Sequence, residues 1–449
     1  MKLKKWIVPG VGLKRWLFQM ILGVFLISYA IIEVVRGHNL NISRELILLL
    51  MVLAGIIIVY YSIKKYTNKI IQLIKYEALN LSMEKKTSEE EFYEKNILIK
   101  GPKIVVIGGG TGLSNMLSGL KRYTSNITAV VTVADDGGGS GVLRQDLGIL
   151  PPGDIRNCII ALADTEPLME QLFRYRFTVG TLENQSFGNL FLAAMNGISE
   201  NFLEAIKKTS DVLAVTGKVL PVTLDNVELY ARLKNGAVIK GESSIPKESL
   251  KRNSPIEEVF VKPSNAKGVK EAIEAVLEAD AVIMGPGSLY TSIIPNLMVE
   301  DIKNAIMDSD ALRIYVSNII TQPGESDNFS VQDHIQAIMQ HCNGISIDYA
   351  VVNKCSEEKM KKVKSEYLGE NGNFVELDKH NHHGIETEYV ECDMLKIKKG
   401  CVRHDEDKLA RVLMDIIMQR KIAFDERRVF EYIYLLQRLR KEDKDRELE

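Results

Sequence analysis

The chain has 449 residues, and its 57 Lys and Arg residues nearly balance its 59 Asp and Glu residues. This length predicts one large folded unit with additions, and the near-neutral charge gives no overall basic field of the kind that nucleic-acid-binding proteins carry. A hydrophobic content of 46% excludes a disordered chain, and five cysteines without a C-x-x-C pair indicate a reducing compartment rather than a disulfide framework.

Two long apolar segments occupy the start of the chain. Residues 16–35 contain a single charge, Glu33, and residues 46–63 contain none. Each is about the length that crosses a hydrocarbon core of about 30 Å. A cleaved signal peptide is the alternative for the first segment, but its apolar run is long and a second segment follows closely. We therefore expect a hairpin of two transmembrane helices, residues 16–35 and 46–63, within residues 1–63.

Basic residues flank this hairpin on both outer sides. They are Lys2, Lys4, Lys5, Lys14 and Arg15 before it, and Lys64, Lys65, Lys69 and Lys75 after it. The positive-inside rule then predicts a multi-pass cell-membrane protein whose main domain lies in the cytoplasm. Apolar residues at helical spacing between Ile70 and Leu81 predict a helical connector over residues 64–102, and a solvated tether remains the alternative.

The stretch "KIVVIGGGTGLSNMLSGLKRY" begins with an apolar run, Ile104 to Ile107, and turns through four glycines into a helical pattern. This order is typical of the opening of a doubly wound α/β domain. Glycines let phosphate oxygens approach backbone N–H groups at a helix N-terminus. Leu113 stands where a G-x-G-x-x-G motif needs its third glycine, so a dinucleotide site is disfavoured, and no Walker A ending is present.

The next apolar run ends in "VTVADDGGGSG", which places Asp135 and Asp136 before a glycine loop. One acid at this position could hold a ribose, but ribose recognition leaves the second acid and the glycines unused. A carboxylate pair can bind Mg²⁺ beside a phosphate or orient a polar acceptor. A strand-end turn with solvated acids is the structural alternative.

Other polar, glycine-containing turns follow apolar elements. "LGILPPGDIRN" places Asp154, an N-cap type of residue, before an apolar helix pattern, and a plain cap is its alternative function. "ADAVIMGPGSLYTSIIPNL" predicts a strand at Ala281 to Met284 and then a loop whose amides and hydroxyls suit an anion. Turns at the ends of parallel strands converge on one crevice, where such folds bind ligands.

Further elements are predicted outside these motifs. Asn235-Gly236 predicts a hairpin, Tyr349 to Asn353 a late strand, Leu409 to Met418 a late helix, and residues 426–449 a charged C-terminal helix. His380, His382 and His383 could suggest a metal site, but clustered imidazoles in a polar loop are more often solvated.

Taken together, "GGGTGLS", "VTVADDGGGSGVLRQDLGILPPGDIRN", "SFGNLFLAA", "GPGSLYTSIIPNL" and "TQPGES" resemble the gluconeogenesis factor family (YvcK-like), a branch of the CofD-like superfamily. The resemblance covers about Lys103 to Asn353 and implies a Rossmann-like domain, assigned to residues 103–425. It also implies a uridine nucleotide-sugar ligand such as UDP-N-acetylglucosamine and a role in cell shape and envelope growth on gluconeogenic carbon. We expect a homo-oligomer, no nucleic acid, and an unidentified protein partner in envelope synthesis.

The resemblance also implies the site residues. Those assigned to the ligand are Gly109, Gly110, Thr111, Gly112, Asp135, Asp136, Ser140, Asp154, Asn157, Asn189, Gly285, Pro286, Gly287 and Ser288. The two glycine loops would contact the diphosphate, and the acids would face a sugar or an acceptor. No metal is predicted, although Mg²⁺ at Asp135 and Asp136 stays open, and these two acids with Asp154 are the catalytic candidates.

The family's two branches leave two functions open. One is a ligand-binding regulator without a reaction, and the other is a 2-phospho-L-lactate transferase-like enzyme that moves a phospholactyl-type group from a nucleotide-activated donor. An NAD-dependent oxidoreductase is disfavoured by the glycine spacing. The chain departs from the family pattern at Gly139, where Ser is usual, at Val142, where a basic residue is usual, and at Ser326, where Thr is usual.

Overall fold

The computed structural model describes residues 13–36, 47–62, 98, 101–165, 167–368, 373–378, 386–398 and 400–424. The chain divides into two compact units, one formed by Met1–Tyr93 with Ile422–Glu449 and the other by Glu94–Lys421. Most of the predicted connector, the histidines His380, His382 and His383, and the predicted C-terminal helix lie outside the described residues.

Among its described residues, the first unit has two helices, α1 (Leu13–Val35) and α2 (residues 47–62), that pack closely through glycines. A Cβ atom at Gly23 would lie 2.8 Å from Cγ2 of Val59 and 3.0 Å from the carbonyl oxygen of Gly55. Neither glycine position leaves room for a side chain, so the two backbones approach each other directly at this crossing.

The predicted membrane hairpin is wrong. Within the described ranges, no helix combines the length and the apolar character that crossing a membrane requires. Crossing a hydrocarbon core takes about 20 predominantly apolar residues in one helix. The predicted multi-pass membrane location is overturned with it.

The second unit is an α/β fold built on a seven-stranded parallel sheet with the order β10-β9-β8-β7-β1-β2-β3. Its strands are β1 (Ile104–Gly108), β2 (Ile127–Val131), β3 (Lys218–Pro221), β7 (Ala281–Met284), β8 (Leu312–Val316), β9 (Tyr349–Asn353) and β10 (Glu388–Cys392). This sheet confirms the Rossmann-like architecture, because successive strands are added on both sides of β1 through helical crossovers.

Helices connect the strands. They are α3 (Gly110–Leu120), α4 (Gly138–Leu147), α5 (Gly153–Leu162), α6 (Pro167–Arg174), α7 (Phe187–Gly197), α8 (Phe202–Val212), α9 (Ile245–Lys251), α10 (Lys270–Leu277), α11 (Ile294–Leu297), α12 (Glu300–Asp308), α13 (Val331–His341), α14 (Glu357–Val363) and α15 (Glu406–Phe424). Two π-helical turns, Leu289–Ile293 and Lys364–Leu368, precede α11 and follow α14.

Two smaller sheets decorate the core. One has the order β5-β4-β6, formed by β4 (Glu228–Leu233), β5 (Val238–Lys240) and β6 (Ile256–Lys262). The other is the hairpin of β11 (Leu395–Lys398) and β12 (Cys401–His404). Leu395 and Val402 of this hairpin pack with Ile319 and Val363 in a separate buried cluster, which fixes the hairpin beside the end of β8.

Several local predictions are confirmed by these elements. The strands at Ile104 and Ala281 are completely buried, as their continuous apolar runs indicate. The Asn235-Gly236 turn joins β4 to β5, the late strand is β9, and the late helix is part of α15. Periodicity identified these elements because each is encoded by neighbouring residues.

Gly119 sets the contact between α3 and the start of α15, because a Cβ atom there would collide with the carbonyl oxygen of Glu406 and lie 3.0 Å from Cβ of Ala410. We expect Gly119→Ala to lower the free energy of unfolding by about 1–3 kcal/mol through overpacking. Gly197→Ala is the matched control, since nothing lies within 4 Å of its Cβ position. Urea unfolding followed by circular dichroism measures both, and equal stability of the two variants would contradict this contact.

Candidate functional site

The sheet order creates a crevice between β1 and β7. The chain leaves β1 towards β2 on one side, yet β7 pairs with β1 on the other side, so the connections diverge at this point. Open α/β sheets bind ligands at such a switch point, outside the carboxyl ends of the strands. A cavity of about 430 Å³ lies there. Its lining residues are Gly109, Gly110, Thr111, Gly112, Asn115, Pro286, Gly287, Ser288, Ser292, Asn318, Ile319, Ile320, Thr321, Gln322, Pro323, Val402, Arg403 and His404.

The first wall of the cavity is the glycine loop after β1. Helix α3 begins at Gly110 after Gly109, which has no side chain to act as a cap. Gly110 has a φ of +73°, which a residue with a side chain rarely adopts. N–H groups at a helix start without a side-chain cap can donate to an anion. The predicted residues Gly109 to Gly112 therefore form one side of the cavity.

The second wall is the loop after β7, which lies directly against the first. The Gly285 N–H group donates to the carbonyl oxygen of Ile107 over 3.0 Å and so ties this loop to β1. A Cβ atom at Gly112 would lie 2.9 Å from the carbonyl oxygen of Pro286. Pro286, Gly287 and Ser288 line the cavity, whereas Gly285 does not and is the turn residue before them.

A third wall comes from residues that were not predicted. Arg403 of β12 lines the cavity, and its guanidinium makes one hydrogen bond, 3.0 Å to the carbonyl oxygen of Val402. No carboxylate pairs with it in the described part of the chain. The neighbouring His404 donates from Nε2 to the Ser317 carbonyl oxygen over 3.1 Å, and burial lowers its pKa to about 4. Neutral His404 thus anchors β12, and Arg403 is left facing the cavity.

The acids of the "ADDGGGSG" motif lie at the β2 side of the crevice. Asp135 accepts from the N–H of Gly137 over 2.8 Å and from the Ser140 hydroxyl, while burial raises its pKa. Asp136 accepts from the N–H of Ser243 over 2.9 Å, so its carboxylate holds a loop from a distant part of the chain. The two neighbours in sequence therefore have different structural surroundings.

Asp154 does not cap the helix that it begins. Pro152 is the N-cap of α5, and Asp154 stands in its first turn. Its carboxylate accepts from the N–H of Gly110, and a Cβ atom at Gly109 would lie 2.6 Å from its Oδ2 atom. Burial, helped by the charge of Asp135, raises its pKa to about 6. The plain-cap alternative is therefore wrong, since the Asp154 side chain supports the glycine loop that precedes α3.

Two further acids were missed from the sequence. Burial raises the pKa of Glu325 to about 7, although the Thr291 hydroxyl donates to its Oε1 atom over 3.2 Å. Burial also raises the pKa of Glu242 to about 8, and the charges of four neighbouring acids, led by Asp135 and Glu325, raise it further. Glu242 follows a short edge strand and Glu325 sits in "TQPGES", so only the fold brings them to the other acids.

Asn157 and Asn189 are brought together by an arginine. The Arg156 guanidinium donates to Oδ1 of Asn157 over 2.8 Å, to Oδ1 of Asn189 over 2.9 Å, and to the Ser186 hydroxyl. Burial lowers the pKa of Arg156 to about 10. Both asparagines thus position Arg156 beside the acids, and Arg156 itself was not predicted.

Magnesium at Asp135 and Asp136 stays a prediction, and part of each carboxylate is already engaged within the protein. Mg²⁺ needs a near-octahedral set of oxygen ligands around one point. One oxygen of Asp135 and one of Asp136 accept backbone N–H groups, and the other oxygen of Asp136 abuts Gly241. Over the described ranges, no three His, Cys, Asp or Glu side chains are arranged to hold a metal ion.

The three departures from the family pattern lie in different environments. Gly139 is buried, and a Cβ atom there would lie 2.9 Å from Oε1 of Gln185, so a serine would crowd that amide. Val142 is 46% exposed. The Ser326 hydroxyl accepts from the Gln322 N–H over 3.1 Å, a bond that threonine could also make.

Comparisons with known proteins agree with this architecture. Residues 104–395 match the family profile of the 2-phospho-L-lactate transferase CofD. A Clostridium acetobutylicum protein whose name includes the words gluconeogenesis factor is 54% identical over 445 residues, which cover 99% of this chain and 98% of the relative. The gluconeogenesis factor of Bacillus subtilis is 43% identical over 71% of this chain and 99% of the relative. A crystal structure of a Bacillus halodurans protein is similar with a TM-score of 0.66 and 42% identity, and covers 70% of this chain and 99% of its own.

The buried acids predict a pH-dependent stability. A Glu242 carboxyl group with an ordinary pKa of 4.5 when unfolded and about 8 when folded binds its proton more tightly in the folded state. The contribution of Glu242 to the free energy of unfolding is therefore present at low pH and is lost as the pH rises towards 8. We expect the free energy of unfolding to decrease less steeply between about pH 6 and pH 8 in Glu242→Gln than in the wild-type protein.

Denaturant titrations at several pH values measure this slope. Glu248→Gln is the matched control, because Glu248 lies nearby on α9 and its ion pair with Arg252 lowers its pKa instead. An unchanged slope in Glu242→Gln would show that this carboxyl group titrates normally.

Proposed function

Because the chain belongs to the CofD family and, within it, to the gluconeogenesis factors, we propose that it binds a uridine nucleotide-sugar of the UDP-N-acetylglucosamine type in the β1–β7 crevice. The supporting observation is the cavity lined by both glycine loops and Arg403. Helix-start N–H groups and a guanidinium bind phosphate oxygens well. The volume of about 430 Å³ lies within the range of ligand pockets.

The proposed role is regulatory rather than catalytic. Bound nucleotide-sugar would report the supply of envelope precursors, and the protein would support cell shape and envelope growth on gluconeogenic carbon. The names of the relatives supply the link to gluconeogenesis. The proposal includes self-association and a protein partner in envelope synthesis that reads the ligand-bound state.

A transferase is the second candidate, and the description of the matching family profile favours it. In this alternative the glycine loops would hold a nucleotide-activated donor, and the acids would orient the acceptor. A transferase consumes its donor when the acceptor is present, whereas a regulator returns its ligand unchanged. Mass spectrometry of the ligand after incubation with donor and acceptor panels separates the two.

The proposal predicts selective stabilisation by ligand. UDP-N-acetylglucosamine at about 100 times its Kd should raise the free energy of unfolding by about 2.7 kcal/mol, because it binds only the folded state. NAD should give no shift in Tm. Differential scanning fluorimetry of the full chain measures both, and a shift with NAD alone would refute a nucleotide-sugar site.

The guanidinium of Arg403 faces the cavity, so replacing Arg403 should lower the affinity for the proposed ligand. Charge-assisted hydrogen bonds contribute about 1.5–3 kcal/mol, so Arg403→Gln should weaken UDP-N-acetylglucosamine binding by about tenfold or more. Arg252→Gln is the control, since Arg252 pairs with Glu248 on α9 and does not line the cavity. Isothermal titration calorimetry gives both affinities, and equal binding by the two variants would place the diphosphate elsewhere.

A further inference from the structure

Strand β8 continues into a segment, residues 318–323, that forms one wall of the cavity. Every residue of this segment lines the cavity. The segment follows β8, whereas the glycine loops follow β1 and β7 and the acidic motif follows β2. Because β8 and β2 lie on opposite sides of the β7–β1 pair, a ligand whose diphosphate binds the glycine loops has one end beside this segment.

One edge of the segment is covered by another part of the chain. Ile320 pairs antiparallel with Phe374. The hydrogen bonds of this pair are made by the residues on either side of Ile320. The carbonyl oxygen of Ile319 accepts an N–H over 3.0 Å, and the N–H of Thr321 donates over 2.8 Å, both to residues 373–375. Ile320 is therefore the non-hydrogen-bonded position of the pair, and its own N–H and C=O groups point to the opposite edge.

The opposite edge of Ile320 is open. Its N–H and C=O groups make no hydrogen bond to any residue that the structure describes. Ile320 is partly buried and lines the cavity, so this edge is the one that a ligand meets. The side-chain amides of Asn318 and Gln322 also line the cavity and also lack partners among the described residues. Main-chain groups left unpaired in a cavity favour a ligand that carries the complementary donor and acceptor.

The complementary pair is present on the edge of a cyclic imide. A peptide N–H can donate to a ring carbonyl oxygen while the C=O group of the same residue accepts from the ring N–H. Uracil carries this pair at N3–H and the adjacent carbonyl oxygens. The segment "NIITQP" contains no charged residue, and Ile319 and Val402 add apolar surface to the cavity wall. This wall therefore suits a neutral, planar base.

We propose that the main chain of Ile320 reads the base of the ligand: its N–H donates to a carbonyl oxygen of uracil, and its C=O accepts from N3–H. The inference rests on the proposed function, because that function places the diphosphate on the glycine loops and supplies the uracil. It adds the location of the base, on the β8 side of the crevice, and a selection rule: the ligand needs a ring N–H beside a ring carbonyl.

Two ligands that differ only in the position of one methyl group test this rule. 3-Methyl-UDP lacks the N3–H donor, whereas 5-methyl-UDP keeps the whole imide edge. Isothermal titration calorimetry with the full chain should show UDP binding about tenfold or more tighter than 3-methyl-UDP, because the C=O group of Ile320 would face a methyl group and stay unpaired. 5-Methyl-UDP should bind within about threefold of UDP, because it makes the same hydrogen bonds.

Substitution of Ile320 tests the main-chain donor. Ile320→Pro removes the N–H group and keeps the C=O group, so it should weaken UDP binding by about threefold or more. Ile320→Val is the matched control, because it keeps both main-chain groups, and its affinity for UDP should stay within about twofold of wild type. Proline breaks no internal hydrogen bond among the described residues, and melting followed by circular dichroism checks that both variants fold.

Other outcomes overturn the inference and leave the nucleotide site in place. Equal affinities for UDP and 3-methyl-UDP would show that nothing accepts from N3–H, and equal weakening by the two methyl groups would show a steric limit instead of a hydrogen bond. Unchanged UDP binding by folded Ile320→Pro would exclude the main-chain donor; if this variant does not fold, the two methylated ligands decide. If wild-type protein binds no uridine nucleotide, the proposed function fails, and the inference fails with it.

Discussion

The carboxyl end of β1 is the anchor on which the site depends. The carbonyl oxygen of Gly108 accepts the N–H of Thr132 over 3.0 Å and the side-chain amide of Asn296 over 3.2 Å. One residue earlier, Ile107 accepts the N–H of Gly285. The loops after β2 and β7, which are distant in sequence, are thereby fixed to the same two peptide groups. These hydrogen bonds are buried, so breaking one would leave a polar group without a partner and would cost more than the net contribution of the bond. The two cavity loops and the acidic motif therefore keep fixed positions relative to one another.

This anchor separates two electrostatic environments within one crevice. Between β1 and β7 lie the start of α3 and the guanidinium of Arg403, all of them hydrogen-bond donors. On the β2 side lie Asp135, Asp136 and Asp154, and Glu242 is held near them by an insertion that the central sheet does not itself require. A ligand that satisfies both environments carries its negative charge at one end and neutral polar groups at the other. A nucleotide-sugar has this distribution, whereas an anionic acceptor group beside the acids does not.

Local patterns predicted the part of this arrangement that neighbouring residues encode. The buried strands, the glycine loops and the hairpin at Asn235-Gly236 each depend on a short run of sequence, and each was found. Arg403, Glu242 and Glu325 could not be predicted this way, because their function depends on chain segments that meet only in the folded sheet. The membrane prediction was wrong, because no helix in the described part of the chain is both long and apolar enough to span a bilayer. A plain helix cap was the alternative function for Asp154, and only the fold shows its contact with Gly110.

Protonation of the buried carboxyl groups and binding of a ligand beside them are thermodynamically linked. Burial raises the pKa values of Asp154, Glu325 and Glu242 to about 6, 7 and 8, so these carboxyl groups lose their protons at higher pH than ordinary acids do. A sugar hydroxyl can accept a hydrogen bond from a protonated carboxyl group or donate one to an ionised carboxylate, and so it fits either state. A second anion fits only the protonated state and must draw additional protons into the site, which weakens its binding as the pH rises. The raised pKa values are therefore compatible with the neutral hydroxylated sugar of the proposed ligand.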